Sequence, residues 1–300
     1  MARPRPIRLV HLSDLHLTAS DEDSRSEPRL FGKLQGMNAT FRALLREEPV
    51  QSADWILVTG DVTDRGDREA WEVFWAAVGE AGLKRRVRLV PGNHDVCHLG
   101  APRIGERSRL MGEDLERMRA GVCLGRPRKQ TLFPWVEFLE PGRLALIGLD
   151  SNNAGNGNGV VNAIGRIGNR QTRRLVRLLR QPEVAACPAK ILLMHHSPNL
   201  PRARRGAEHY GPLSRWGHEV PDVDRVTLRH LCALGGVRLI AHGHLHRSDD
   251  RELDGVRIVG APASTEPKPG TSGVYRVYGY EVRGATGRIH VTPIDLHPRP

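Results

Sequence analysis

The chain has 300 residues with 45 Lys+Arg against 34 Asp+Glu, a formal charge of +11, and 40 of the 45 cations are arginine. That length is ample for a full hydrophobic core, and no run of about 18 apolar residues exists to cross a membrane. The opening Met1-Ala2-Arg3-Pro4-Arg5-Pro6 has no apolar stretch of the secretory kind, and Cys97, Cys123, Cys187 and Cys232 lack metal or disulfide spacing, so free thiols in the cytoplasm are expected. The planar arginine fork suits phosphate oxygens; acidic or phosphorylated partners and a plain solvated basic surface both fit the charge.

Ile7-Arg8-Leu9-Val10-His11-Leu12 predicts a first strand, tipped by Ser13-Asp14-Leu15-His16. Residues two apart on an extended backbone point the same way, so Asp14 and His16 can grip one ion. A bare strand-end turn would look the same. Leu30, Phe31, Leu34, Met37, Phe41, Leu44 and Leu45 recur at helical spacing and predict a helix over 30–46 that Pro49 stops. Residues 54–59 predict a second strand ending in Gly60-Asp61-Val62-Thr63-Asp64-Arg65-Gly66. A helix over 69–81 follows, capped by Asp67 or a neighbour, with Ala70, Trp71, Phe74, Trp75 and Val78 as a core-packing face. A third strand, 87–90, runs into Pro91-Gly92-Asn93-His94-Asp95. Strand–helix–strand–helix–strand is the α/β pattern of crossover units.

Residues 98–142 carry no motif; a polar helix over 107–119 and a loop with Gly125, Pro127 and Pro134 are expected. Strand 143–149 ends at Asp150-Ser151, and the Gly/Asn-rich stretch 152–169 is either a rim or lid or an ordinary surface loop. A basic amphipathic helix over 171–180 turns Arg173, Arg174 and Arg177 to solvent. Strand 191–194 ends in His195-His196-Ser197-Pro198, after which loop 199–220 gathers Arg202, Arg204, Arg205, His209, Tyr210 and Trp216. A helix over 224–234 and a strand over 237–241 deliver His242-Gly243-His244-Leu245-His246. Runs at 255–259, 273–282 and 287–294 predict antiparallel strands closing a sheet, within one domain spanning 1–300.

Five strand tips thus carry Asp14/His16, Asp61, Asn93/His94, His195 and His244/His246. If the tips share one edge, the donors suffice for two ions. They are oxygen and nitrogen without thiolate, a set that favours Mn, Fe, Zn or Co. An aspartate between two cations is the natural bridge.

The motifs D-x-H (Asp14, His16), G-D (Gly60, Asp61), G-N-H-D (92–95), the strand-end pair His195-His196 and G-H-x-H (243–246), in this order from Ile7 to His246, resemble the calcineurin-like metallophosphoesterase superfamily. The resemblance implies an α/β (α+β) fold, a four-layer αββα sandwich of mixed sheets flanked by helices. It implies that Asp14, His16, Asp61 and His246 hold one metal and Asp61, Asn93, His195 and His244 the other, with Asp61 bridging and His196 in reserve. His94 would stand beside the leaving group, and a hydroxide held by both metals would attack phosphorus in line.

Ser13-Asp14-Leu15-His16-Leu17, the HH-S-P and G-H-L-H endings, and Leu149-Asp150-Ser151 with Gly165, Gln171 and Leu175 look most like the cyclic-nucleotide phosphodiesterase group. The stretch 60–66 is one residue from the G-D-x-V-D-R-G of Ser/Thr protein phosphatases, where the arginine (here Arg65) holds phosphate. Leu17 and Asp95 depart from that group. The expected function is therefore hydrolysis of phosphodiesters, cyclic nucleotides included. Phosphomonoesterase or protein phosphatase, DNA exonuclease and a non-catalytic scaffold remain the alternatives. Asn93, His94, Arg65, Arg204 and Arg205 are the expected substrate contacts; a nucleotide is a candidate substrate, and nucleic acid is less favoured for want of a recognisable binding module.

Overall fold

Successive side chains of the central strands point to opposite faces and are buried on both, which sorts the apolar ones onto three surfaces, and four layers result. The computed structural model describes residues 5–25, 34–96, 133–153, 163–199 and 220–298. In the first sheet, β1 (Ile7–Leu12), β2 (Trp55–Thr59) and β3 (Val87–Val90) run parallel, and β10 (Tyr275–Arg283) pairs antiparallel with β1 and with β11 (Arg288–Leu296). The second sheet has the order β4-β5-β6-β7-β9-β8, built from β4 (Trp135–Glu140), β5 (Leu144–Gly148), β6 (Ala189–Leu193), β7 (Leu239–His242), β8 (Asp249–Leu253) and β9 (Val256–Gly260). Its four central strands, β5, β6, β7 and β9, are parallel.

Ile7, Leu9, Leu57 and Val90 of the first sheet pack on Leu144, Leu146, Ile191, Leu193 and Leu239 of the second, which makes the layer between sheets. The intervening residues Val10, Leu12, Ile56, Val58 and Leu89 face outward onto α1 (Met37–Leu44) and α3 (Arg68–Glu80). Ile147, Leu192, Ile240 and Ile258 face the opposite way, onto α4 (Gly168–Leu179) and α6 (Asp222–Leu234). This is the expected four-layer αββα arrangement, with period-two strands serving two cores at once. Among the described residues no helix is long and apolar enough to cross a membrane.

Trp71, Phe74 and Trp75 are buried, and Phe74 stacks on Phe41 of α1 with ring centroids 5.4 Å apart, so the aromatic face is core packing as expected. Phe74→Ala is expected to cost about 3–5 kcal/mol, read as a lower urea midpoint at unchanged slope. A loss below about 1 kcal/mol would contradict this packing.

Several boundaries differ from the sequence expectation. The first described helix begins at Met37: Gly36 takes a left-handed φ of 78°, and Leu34 packs on the core from a non-helical segment, while 30–33 of the expected helix lie outside the described residues. Pro49 lies in the first turn of a further short helix, α2 (Glu48–Gln51), where its missing N–H costs nothing. Asp67 occupies the N-cap of α3 but makes no side-chain cap hydrogen bond. Residues 135–140, for which no element was expected, are strand β4, and a short helix α5 (Pro182–Ala185) follows α4.

The C-terminal strands do not close one sheet. β9 joins the second sheet parallel to β7, whereas β10 and β11 extend the first. The strand missed before β9, β8, is joined to it by Asp254-Gly255, with φ of 54° and 77°. Two positive φ values are what a type I′ hairpin turn requires. The expected helix over 107–119, Cys97 and Cys123 lie outside the described residues; Cys187 and Cys232 are free and buried.

Candidate metal centre

The carboxyl ends of β1, β2, β3, β6 and β7 meet at one edge, because the loops beyond them are joined backbone to backbone. Asp14 N–H donates to Gly60 O (3.0 Å), His16 N–H to Asp61 O (2.9 Å) and Gly243 N–H to His195 O (3.0 Å). Chain reversal at these tips uses left-handed backbone. Six non-glycine residues among those described have such a φ, and five are Asp14, His16, Asp61, His244 and His246. Each costs on the order of 1–3 kcal/mol, and strain of this kind persists where the surroundings fix it for function.

Glycine is needed where these loops touch. A Cβ on Gly92 would collide with the Asp61 carboxylate, and one on Gly243 with Ser13 Oγ and Asp14 Oδ2.

Three donor groups result among the described residues: His16, Asp64 and His94 form one, and the other two carry the expected ligands. Asp14, His16, Asp61 and His246 bring one ligand atom each within 4.8 Å of one another, as do Asp61, His195 and His244. Asp61 belongs to both: its Oδ2 lies 3.8 Å from His16 Nε2 and 3.3 Å from His195 Nε2. Asn93 Oδ1 is 3.0 Å from His195 Nε2, on the side of the second group. The metal-ligand set expected from sequence is thus brought together completely. His196 is not part of it. Ser151 Oγ accepts from the His195 and His196 backbone N–H groups, so its one proton goes to His196 Nδ1 (2.9 Å).

The donor set fits two cations. His16 Nε2 and His246 Nε2 face each other at 3.2 Å, and so do His195 Nε2 and His244 Nδ1. Such facing nitrogens need a proton or an ion between them. Burial opposes charge on His195, but Asp61 and Asp14 outweigh it and raise its pKa to about 9. For His246, burial is likewise overcome by Asp14 and Glu266, to about 9. The carboxylates thus draw positive charge to His195 and His246, whereas burial and then Arg25 push the His16 pKa well below its ordinary value. His195 Nδ1 donates to Thr59 O (2.7 Å), since a carbonyl only accepts, which leaves Nε2 to face the centre.

His94 stands beside both groups. Its backbone N–H donates to Asp61 Oδ1 (2.8 Å), and its Nδ1 donates to Asp64 O (2.9 Å). Arg65, half exposed, has Nε 3.4 Å from Asp64 Oδ2. Arg204 and Arg205 lie outside the described residues, as do 154–162 of loop 152–169 and 200–219 of loop 199–220.

Four further residues surround the centre that were assigned no ligand or substrate role from sequence. Asp64 is buried, 3.6 Å from His16 Nδ1. Asp95 accepts from Thr63 N–H and Oγ1 (2.8 Å each) and from Gly92 N–H (2.9 Å), welding the β3 turn to the β2 turn. Burial and the neighbouring Asp61 raise the Asp95 pKa to about 6. Arg25 and Glu266 flank His16 and His246. Asp64 and Asp95 lie inside the quoted motifs; Arg25 and Glu266 carry no local signal.

Beneath the centre runs a consistent donor chain. Tyr280 OH donates to His11 Nδ1 (2.6 Å), His11 Nε2 to Thr59 Oγ1 (2.8 Å), and Thr59 Oγ1 to Ser13 Oγ (2.8 Å). Burial, with His242 adding to it, lowers the His11 pKa to about 3, so this ring is neutral in the fold. The unfolded imidazole takes its proton near pH 6.5, so the contribution is intact above 6.5 and is lost as pH falls toward 3. The slope for this one group is at most ~1.4 kcal/mol per pH unit. In chelator-treated protein, the stability of His11→Asn relative to wild type should therefore improve from pH 7 to 5. Parallel pH profiles for the two would contradict a buried neutral His11.

The calcineurin-like phosphoesterase model matches residues 7–248. A "Probable cyclic nucleotide phosphodiesterase" of Psychrobacter arcticus is 22% identical over 268 residues, 86% of this chain and 80% of that protein. One of the same description from Rhodococcus erythropolis is 29% identical over 261 residues, 85% of this chain and 70% of that protein. The crystal structure of a dimetal phosphatase from Danio rerio aligns with a TM-score of 0.59 at 11% identity, over 98% of this chain and 100% of that one, a likeness of fold. The chain belongs to the calcineurin-like phosphoesterase family and is a hydrolase of phosphoester bonds.

Proposed function

We propose that this centre cleaves phosphodiesters, cyclic nucleotides among them, with Asp14, His16, Asp61 and His246 holding one ion and Asp61, Asn93, His195 and His244 the second. The observation that carries the proposal is the position of Asp61, shared by two donor groups and bonded through Oδ1 to the His94 backbone. The names of the two curated relatives point to the diester class. Oxygen and nitrogen donors without thiolate suit Mn, Fe, Zn or Co, and free buried Cys187 and Cys232 suit a reducing compartment such as the cytoplasm.

Ions in such a pair supply charge stabilisation to the phosphate and acidify a water. The protein's own part is placement. Thr59 O orients His195, Asp95 fixes the turn that carries Asn93 and His94, and Asp64 O holds His94 Nδ1–H. The Nε2 of His94 is then the atom that can hand a proton to a departing alkoxide. Neither covalent phosphoenzyme nor side-chain nucleophile is called for.

The test is a panel run with added manganese: cyclic nucleotides, bis(p-nitrophenyl) phosphate, phosphomonoesters, phosphopeptides and single-stranded DNA. A diester is expected to show the highest kcat/KM. Monoesters or phosphopeptides turned over at least as well would move the proposal to a phosphatase and make Asp64-Arg65 the better guide. DNA as best substrate would make the chain a nuclease.

A further inference from the structure

Arg25 is a charged residue of this centre with no place in the ligand set. It lies in the connection between β1 and α1, pinned by its backbone N–H to Leu34 O (2.9 Å), and is 2% exposed. Its guanidinium donates to Glu266 Oε1, sits 3.0 Å from His16 Nε2 and lies 3.9 Å from Asp64 Oδ1. Glu266 also accepts from His246 Nδ1 at 3.0 Å. His16, Arg25, Glu266 and His246 therefore form a closed ring that contains two members of the first donor group, with the His16–His246 contact completing it.

A permanently charged guanidinium beside a cation site opposes the cation and favours an anion that binds with it. Glu266 and Asp64 offset that charge in the resting protein. The His16 Nε2 lone pair that now faces Arg25 is the one His16 would give an ion. A guanidinium has donors only, so an ion taking that lone pair would leave this edge of Arg25 to an anionic oxygen.

We infer that Arg25 is a phosphate-binding residue, taking a non-bridging oxygen of the phosphoester, and that Glu266 positions its guanidinium for that contact. The inference rests on the phosphoesterase reading of the site. It differs in kind from Arg65, which approaches Asp64 from an exposed position.

The experiment uses the full chain reconstituted with manganese and inorganic phosphate as the probe. Ions per chain are counted by elemental analysis, phosphate affinity is measured by calorimetry, and KM and kcat are taken on bis(p-nitrophenyl) phosphate. Arg25→Met is expected to keep its ions and to bind phosphate roughly 10- to 100-fold more weakly, the loss of a charged hydrogen bond, with KM rising more than kcat falls. Arg25→Lys should recover part of the affinity, and Glu266→Gln should weaken it in the same direction but less.

Unchanged phosphate affinity in Arg25→Met makes the residue a structural counter-ion and overturns the inference. So does loss of an ion from that variant, since Arg25 then builds the metal site. If Arg25→Met does not fold, Arg25→Gln decides by the same two readouts. A wild type that hydrolyses no phosphoester, yet loses phosphate affinity with Arg25, sinks the phosphoesterase reading and leaves the anion contact standing.

Discussion

Asp61→Ala is expected to lower kcat/KM on a phosphodiester by about 10³-fold or more, since several kcal/mol of charge stabilisation depend on the ion pair and each ~1.4 kcal/mol is tenfold. Asp61 Oδ2 faces both His16 and His195, and Oδ1 holds the backbone of His94, so its removal loosens both donor groups and the β3 turn together. Asn93→Ala removes the amide oxygen beside His195 in the second group, leaves Asp61 in place, and should cost less. Asp61 has a φ of 48°, so alanine also adds backbone strain. Asp61→Asn separates the two effects, because asparagine tolerates the left-handed region and keeps one oxygen. Equal losses from Asp61→Ala and Asn93→Ala would contradict a shared role for Asp61.

His94→Ala is expected to slow a ribose-type alkoxide ester by about 10²- to 10⁴-fold, the usual reach of a general acid. A nitrophenyl ester should suffer far less, because its leaving group needs no proton. The geometry behind this is the Nδ1–H bond to Asp64 O, which fixes the ring and leaves Nε2 as the working atom. Steady-state rates on both esters, at saturating manganese, decide it. Equal losses would mean that His94 only orients Asp61 or the phosphate.

The candidate ligands were legible because each lies where an apolar run stops, and polar donors at the ends of five strands have no packing role to explain them. Layering came from the family resemblance, and β1 and β6 agree with it: both are apolar on two faces, which a strand covered on both sides requires. Edge strands were harder. β8 reads Asp-Asp-Arg-Glu-Leu and is half exposed, so neither β-branching nor alternation marks it. The Asp254-Gly255 pair, a strong hairpin sign, was the available clue. The start of α1 at Met37 was hidden because Leu34 keeps the helical spacing while packing from outside the helix.

Arg25 and Glu266 meet across 241 positions of sequence. Their pairing depends on how β1, β7 and the segment after β9 are brought together, which no local pattern encodes. The left-handed backbone at five ligand positions was invisible for the same reason: it is imposed by the hydrogen bonds between loops, not by the residues themselves.

Counting ions tests the central proposal most directly. Wild-type protein stripped with chelator, reconstituted with excess manganese and freed of unbound metal should hold two ions per chain by elemental analysis, and Asp61→Ala fewer. A wild-type chain that retains one ion or none would contradict a dinuclear centre bridged by Asp61.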